Sequence, residues 1–167
     1  MNITPPTTQV LVFLIRIRRK GRQEVALAQK LRGTDKGLWA GYNMLLGTRR
    51  SHVRGGAQVL AEQASVVAEI KLLHKYACME FCEAGGNPLS VVHVYLCRHW
   101  NGNPKRTDDM GLPSWFLFQN IPYHEMLHAY QLFLPRILAG EKIMCRFVLS
   151  KDQAYVSKNS IQPVDTF

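Results

Sequence analysis

Residues 30–42 have the sequence KLRGTDKGLWAGY, in which a polar loop leads into an apolar segment. The loop covers residues 32–37, where glycine, threonine and aspartate cluster and favour turns. The segment that follows, residues 38–47, is mostly apolar and predicts a short buried strand. We therefore expect the chain to enter a sheet directly after this loop.

The segments on both sides of this loop predict a hairpin and a helix. Residues 8–18 and 24–30 are apolar and rich in β-branched residues, and residues 20–23 between them favour a turn. Downstream, Ser51 is a suitable N-cap for a helix that runs to about Ser65, because apolar residues recur there at helical spacing. Strands and helices are thus both expected.

The rest of the chain continues this alternation. Further strands are predicted within 66–82 and over 89–100, 114–118, 142–150 and 154–158, and Pro122 begins a second predicted helix that ends near Ala139. The order of strands, helix, strands, helix, strands predicts a single α/β domain over residues 1–167.

Charge is distributed unevenly along the sequence. The net charge of +9 arises entirely within residues 1–60, because cations and acids balance in residues 61–167. A local basic field attracts phosphate groups, but exposed cations also serve simply as a solubilising surface, and the charge by itself favours neither explanation. The apolar run of residues 10–15 is too short for a membrane span, so we expect a cytoplasmic protein with no membrane partner.

Residues 124–128 spell H-E-x-x-H, the zinc-peptidase pattern. On a helix, His124 and His128 would project from one face and Glu125 could act as general base. A third ligand is required, and Glu141 and Asp152 do not stand at a recognisable spacing. Zinc hydrolysis is therefore the weakest of the interpretations considered.

The sequence resembles the MutT-like branch of the Nudix superfamily in three segments, residues 30–42, 91–97 and 108–123. The most specific positions are Gly33, Gly37, Trp39, Gly41, Trp115, Phe116, Ile121 and Pro122. The resemblance covers nearly the whole chain and implies a Nudix-type α/β/α sandwich with a mixed β-sheet. It also implies hydrolysis of a diphosphate linkage with magnesium, and a helix start without zinc at residues 124–128. The H-E-x-x-H pattern is then incidental.

The catalytic box of that family is degenerate in this sequence. The family box has glutamates at four positions and an arginine at one. When the box is aligned on residues 39–42, Arg50 replaces the first glutamate, and the later positions hold Gln58, Val59, Glu62, Gln63 and Ser65. The positions implied to recognise a purine hold Ala40, Leu127, Ala129 and Tyr130. Glu62 remains as a candidate catalytic residue, and Glu62 and Asp109 remain as candidate magnesium ligands.

The sequence therefore favours a divergent Nudix protein that binds a nucleotide or another phosphate-bearing ligand, RNA included, with little or no hydrolysis. The candidate ligand-binding residues are Lys30, Arg32, Arg49, Arg50 and Arg54. The alternative is a magnesium-dependent, MutT-like pyrophosphohydrolase, so whether the protein is an enzyme stays open. No cofactor besides magnesium is indicated, and the sequence does not indicate an oligomeric state.

Overall fold

The structure is a computed structural model that describes residues 4–47 and 50–167. The described residues form nine strands and two α helices. They are β1 (Thr7–Ile17), β2 (Gln23–Gln29), β3 (Trp39–Ala40), β4 (Tyr42–Leu46), α1 (His52–Ala64), β5 (Leu73–Cys82), β6 (Pro88–Cys97), β7 (Ser114–Leu117), α2 (Tyr130–Leu138), β8 (Ile143–Leu149) and β9 (Val156–Pro163). In the part of the chain that the structure describes, no helix is long and apolar enough to cross a membrane.

The strands form one mixed sheet in the order β3-β2-β1-β6-β5-β8-β9, with β4 paired to β1 and β7 paired to β2. Two pairs are parallel, β1 with β6 and β5 with β8, and the other pairs are antiparallel. Residues 10–15 of β1 are each at most 4% exposed. A central strand covered on both faces has a continuous apolar run, which explains why apolar and polar residues do not alternate in residues 10–15.

Helix α1 lies very close to one face of the sheet. A methyl group on Gly55 would overlap the side chain of Leu46 in β4, and one on Gly56 would lie 3.1 Å from Cδ1 of Leu73. Both glycines are buried. The two glycines lower helix propensity, but they allow the helix backbone to approach the sheet.

The loop before β3 is fixed by its glycines and by its own hydrogen bonds. Gly33 and Gly37 have φ values of 87° and 90°, which side chains with a Cβ rarely adopt. The Gly37 N–H donates to the Lys30 carbonyl at 2.8 Å, and the Lys30 N–H donates to the Leu38 carbonyl at 3.0 Å. The loop therefore holds Lys30 in a defined place beside the sheet.

The second helix begins later than predicted. Residues 123–125 form one 3-10 turn, Met126 is extended with φ −128° and ψ 164°, and α2 starts only at Tyr130. Met126 is 7% exposed and belongs to the core, so burial of its side chain overrides the helical periodicity of the segment. The prediction of a continuous helix from Pro122 was wrong.

Candidate active site

A cavity of about 880 Å³ opens on the face of the sheet opposite α1. Successive residues of a strand point to opposite faces, so Val10 and Val12 approach α1 while Gln9 and Leu11 line the cavity. Its apolar wall includes Met79, Phe81, Val92, Leu127, Ala129 and Phe133. A concave, mostly apolar space of this size with a few polar groups is typical of a small-molecule site.

Lys30 and Asp35 form an ion pair in the wall of the cavity. The Lys30 Nζ lies 2.9 Å from Asp35 Oδ2, and the two side chains are 21% and 18% exposed. The loop described above supplies both residues, which explains why their relative position is defined. Lys30 is the one member of the predicted cation set, among those described, that lines the cavity.

Two amides connect the cavity with α1. Asn43 of β4 donates from Nδ2 to Gln9 Oε1 at 3.4 Å, and both side chains line the cavity. The backbone carbonyl of Asn43 accepts a hydrogen bond from Gln63 Nε2 of α1 at 2.6 Å. Gln9 and Asn43 were not among the site residues predicted from the sequence. The available signal was a polar residue inside an otherwise apolar strand, at a position that faces one side of the sheet.

A hydrogen-bonded chain links Arg50, which lies just before α1, to Gln58 and Glu62 on the exposed side of that helix. Arg50 Nη1 donates to Gln58 Oε1, and Gln58 Nε2 donates to Glu62 Oε1 at 2.7 Å. Val59 of the same helix is completely buried. The structure thus brings Arg50 and Glu62 into one hydrogen-bonded cluster.

These side chains offer few protein ligands for a magnesium ion. Glu62 is the sole acidic residue in α1, and magnesium prefers octahedral coordination by several hard oxygens. In residues 4–47 and 50–167, no three His, Cys, Asp or Glu side chains are grouped so that they could hold a metal ion. Asp109, the second predicted ligand, lies 3.7 Å from the Arg32 guanidinium through its Oδ1.

The remaining predicted cations do not converge on one point. Arg32 is 67% exposed and pairs with Asp109 and, at 4.0 Å, with Asp108. Arg54 is exposed on α1. Arg49 lies outside the described residues. The four described candidates therefore lie in three places: Lys30 in the cavity wall, Arg32 in a loop beside two aspartates, and Arg50 and Arg54 at the start of α1.

The histidines of the H-E-x-x-H pattern have separate surroundings. His128 lines the cavity and accepts, at Nδ1, a hydrogen bond from the Val156 N–H at 2.9 Å. His124 is 83% exposed, and its Nε2 lies 3.6 Å from Glu125 Oε2. Because this segment is not helical, the two imidazoles do not share a helix face as a zinc peptidase requires.

Solved structures define the class to which this fold belongs. A MutT protein from Bacillus halodurans superposes with a TM-score of 0.72, at 10% identity, over 93% of this chain and 97% of that one. A MutT NUDIX hydrolase from Burkholderia pseudomallei superposes with a TM-score of 0.62, at 19% identity, over 77% of this chain and 95% of that one. The protein thus has a MutT-like Nudix fold with a mixed sheet, as the sequence predicted.

Two proteins with named activities are similar to this chain in sequence. The chain is 27% identical over 145 residues to the oxidized purine nucleoside triphosphate hydrolase of Mus musculus, covering 87% of this chain and 90% of the relative. It is also 27% identical over 140 residues to the corresponding hydrolase of Danio rerio, covering 84% and 86%. No protein-family model matches the chain. The chain is therefore homologous to these two hydrolases.

Bound ligands are known for structures of the same fold. The NUDIX domain of Shewanella oneidensis NrtR was solved in complex with ADP ribose, and it superposes with a TM-score of 0.65 at 15% identity over 82% of this chain and 88% of that one.

Proposed function

We propose that this protein is a divergent Nudix protein that binds a nucleotide or a related phosphate-bearing ligand with little or no hydrolysis. The observation that carries the proposal is the Arg50–Gln58–Glu62 chain on α1. A guanidinium stands where the family pattern has a carboxylate, so phosphate can be contacted directly by a cation without a bridging metal ion.

The ligand has two parts in this proposal. Its apolar or aromatic part enters the cavity, where Phe81, Phe133 and Met79 offer packing surface. Its phosphates meet Lys30 at the cavity wall, and the phosphate farthest from the cavity reaches past the edge strand β4 toward Arg50, which lies just before α1. The Asn43–Gln63 hydrogen bond connects β4 with α1 at this edge. The positions that would read a purine hold apolar residues or Tyr130, so specificity for an oxidised purine is not expected.

Binding without metal is the decisive measurement. Fluorescence anisotropy with labelled nucleoside mono-, di- and triphosphates should show an affinity that survives a chelator and falls as salt rises. A variant with Arg50→Glu and Arg54→Glu should weaken binding about tenfold or more, because two cations become two anions near the phosphates.

The control is a variant with Lys151→Glu and Lys158→Glu. Both lysines are exposed and neither lines the cavity; they flank its lining residues 152–156, away from Arg50, and the substitution makes the same change in net charge. It should weaken binding clearly less than the Arg50→Glu and Arg54→Glu variant, since exposed charges that do not contact the phosphates are screened. Equal losses in the two variants, or no binding to any nucleotide, would rule out a specific phosphate site on α1.

Magnesium-dependent pyrophosphohydrolysis is the second candidate function. Both sequence relatives are hydrolases, and each aligns with more than four fifths of this chain. In this case Glu62 and Asp109 are the candidate carboxylates. Release of pyrophosphate or phosphate that requires magnesium and is abolished by Glu62→Gln would favour this candidate over non-hydrolytic binding.

A further inference from the structure

The turn between β1 and β2 carries a dense cluster of cations. Residues 16–22 have the sequence RIRRKGR, with five cations and no acid. The Arg18 N–H donates to the Arg22 carbonyl at 2.7 Å, and Lys20 and Gly21 have φ values of 65° and 71°. Two successive residues with positive φ are typical of a tight hairpin turn. The cations therefore project from an ordered turn.

Few acids neutralise this turn. Glu24 lies 2.6 Å from the Arg16 guanidinium and 3.6 Å from that of Arg18. Arg19 and Arg22 are exposed, and neither forms an ion pair with the residues that the structure describes. The turn thus keeps positive charges that no acid among the described residues neutralises.

Two stacked indole rings lie beside these cations. Trp115 of β7 stacks on Trp100 with ring centroids 5.9 Å apart and 13° between the planes. The Arg16 guanidinium lies 4.1 Å from the Trp115 ring centroid. Arg98 donates from Nη1 to Gln23 Oε1 at 2.6 Å, which joins the segment after β6 to the turn. Both tryptophans are only partly buried, and neither lines the cavity.

We propose that this surface, the RIRRKGR turn with Arg98, Trp100 and Trp115, binds single-stranded nucleic acid. Arginine-rich turns contact phosphates through forked donors, and a partly exposed aromatic ring such as Trp100 stacks on bases of any sequence. Trp115, which lies between Trp100 and the Arg16 guanidinium, positions Trp100 beside the turn. Ile17, at 66% exposure, is the one large exposed apolar side chain of the turn. A single apolar residue is too little to insert into a bilayer, so a nucleic acid fits this surface better than a membrane does.

Anisotropy with labelled oligouridylate and oligothymidylate of about 15 nucleotides tests this proposal, because that length covers one binding site. Arg19→Glu with Arg22→Glu should weaken binding to both by roughly tenfold. The control, Lys151→Glu with Lys158→Glu, should weaken it less than about twofold. With three phosphate contacts, affinity should fall about 20-fold between about 50 and 200 mM salt, as counterion release requires. RNA and DNA arms identify which of the two is preferred.

A second measurement tests the aromatic part. Unlabelled oligonucleotide should quench the intrinsic tryptophan fluorescence of the wild type, and Trp100→Phe should reduce the quenching while leaving the salt dependence unchanged. If Arg19→Glu with Arg22→Glu does not fold, as judged by circular dichroism, the paired change to glutamine replaces it. Equal losses in the turn and control variants, or binding to anionic phosphatidylserine vesicles without binding to oligonucleotides, would overturn the proposal.

Discussion

Gln63 is held through the nitrogen of its side-chain amide, while its Oε1 is buried without a partner among the described residues. Its Nε2 donates to the Asn43 backbone carbonyl at 2.6 Å. The backbone carbonyl of Gln63 accepts a hydrogen bond from the Thr107 hydroxyl at 3.1 Å. A carboxylate at this position would face the Asn43 carbonyl without a hydrogen to donate. Gln63 is therefore the residue of α1 that hydrogen-bonds to the cavity strand β4.

The substitution Gln63→Glu should accordingly lower the free energy of unfolding by about 1–3 kcal/mol, because a partly buried acceptor loses its donor. Urea denaturation at pH 7 measures this loss. Glu62→Gln, on the exposed side of the same helix, is the control and should change stability by less than about 0.5 kcal/mol. A Gln63→Glu variant that unfolded with the wild-type free energy and bound magnesium tightly would show that this position can serve as a metal ligand.

His93 is a buried titratable group that the cavity does not use. Its imidazole stacks on His52 with centroids 3.5 Å apart, and its Nδ1 has no hydrogen-bond partner among the described residues. Burial, with Lys75 and then His52 as nearby positive charges, lowers the pKa of His93 to about 4. Since the folded protein resists protonation here, the unfolded state binds the proton more tightly.

Stability should therefore be full above the unfolded pKa of about 6.5 and should fall as the pH drops toward 4, with a loss of roughly 2–3 kcal/mol at pH 4.5. His93→Phe should remove most of this dependence, because a neutral ring keeps the stacking contact. Urea denaturation at pH 7 and pH 4.5 gives the comparison. The exposed His124, changed to Asn, is the control, and an unchanged pH dependence in His93→Phe would assign the loss to other groups.

At the scale of the element, the position of α1 depends on the absence of side chains. Gly55 contacts Leu46 so closely that a methyl group would overlap it. Alanine has a higher helix propensity than glycine by about 1 kcal/mol, and overpacking costs about 1–3 kcal/mol. Packing should decide the result, since Gly55 is buried against the sheet.

Gly55→Ala should thus destabilise the protein, which thermal or urea unfolding can measure. The overlap with Leu46 makes a specific test available: Leu46→Ala should restore part of the stability lost in Gly55→Ala, so the two changes should not be additive. A stabilising Gly55→Ala would mean that helix propensity outweighs the close approach of α1 to β4.

At the scale of the whole molecule, the cavity joins elements that are distant in the sequence. Gln9 of β1, Asn43 of β4, Met79 of β5, Val92 of β6 and Phe133 of α2 all contribute to its lining. A ligand held by these residues contacts strands on which the fold as a whole depends. Binding should therefore stabilise the entire domain and not one loop.

A nucleotide at about 100 times its dissociation constant should add about 2.7 kcal/mol to the free energy of unfolding. For a chain of this length, that corresponds to a rise in Tm of about 5–10 °C. Thermal unfolding with chelator present measures it, and Lys30→Met should reduce the shift. A shift that appears only with magnesium would favour the hydrolase over non-hydrolytic binding.

Local patterns were enough to predict the fold class, most strands and α1. The apolar runs of β1 and β6, the glycine-rich loop before β3 and the Ser51 N-terminus of α1 each follow from contacts or propensities within a few residues. Side-chain periodicity also predicts residues 122–129 to be helical. Only burial of Met126 in the completed core shows that the helix begins at Tyr130.

The arrangement of the candidate site residues also depends on tertiary structure and not on local sequence. Sequence alignment identified Arg50, Glu62 and Lys30 as candidates, but it could not show that Gln58 bridges the first two or that Lys30 pairs with Asp35. Gln9 and Asn43 meet because β4 pairs with β1 in one register. Pairing between strands far apart in the chain is decided by the packing of both sheet faces, which no short stretch of sequence contains.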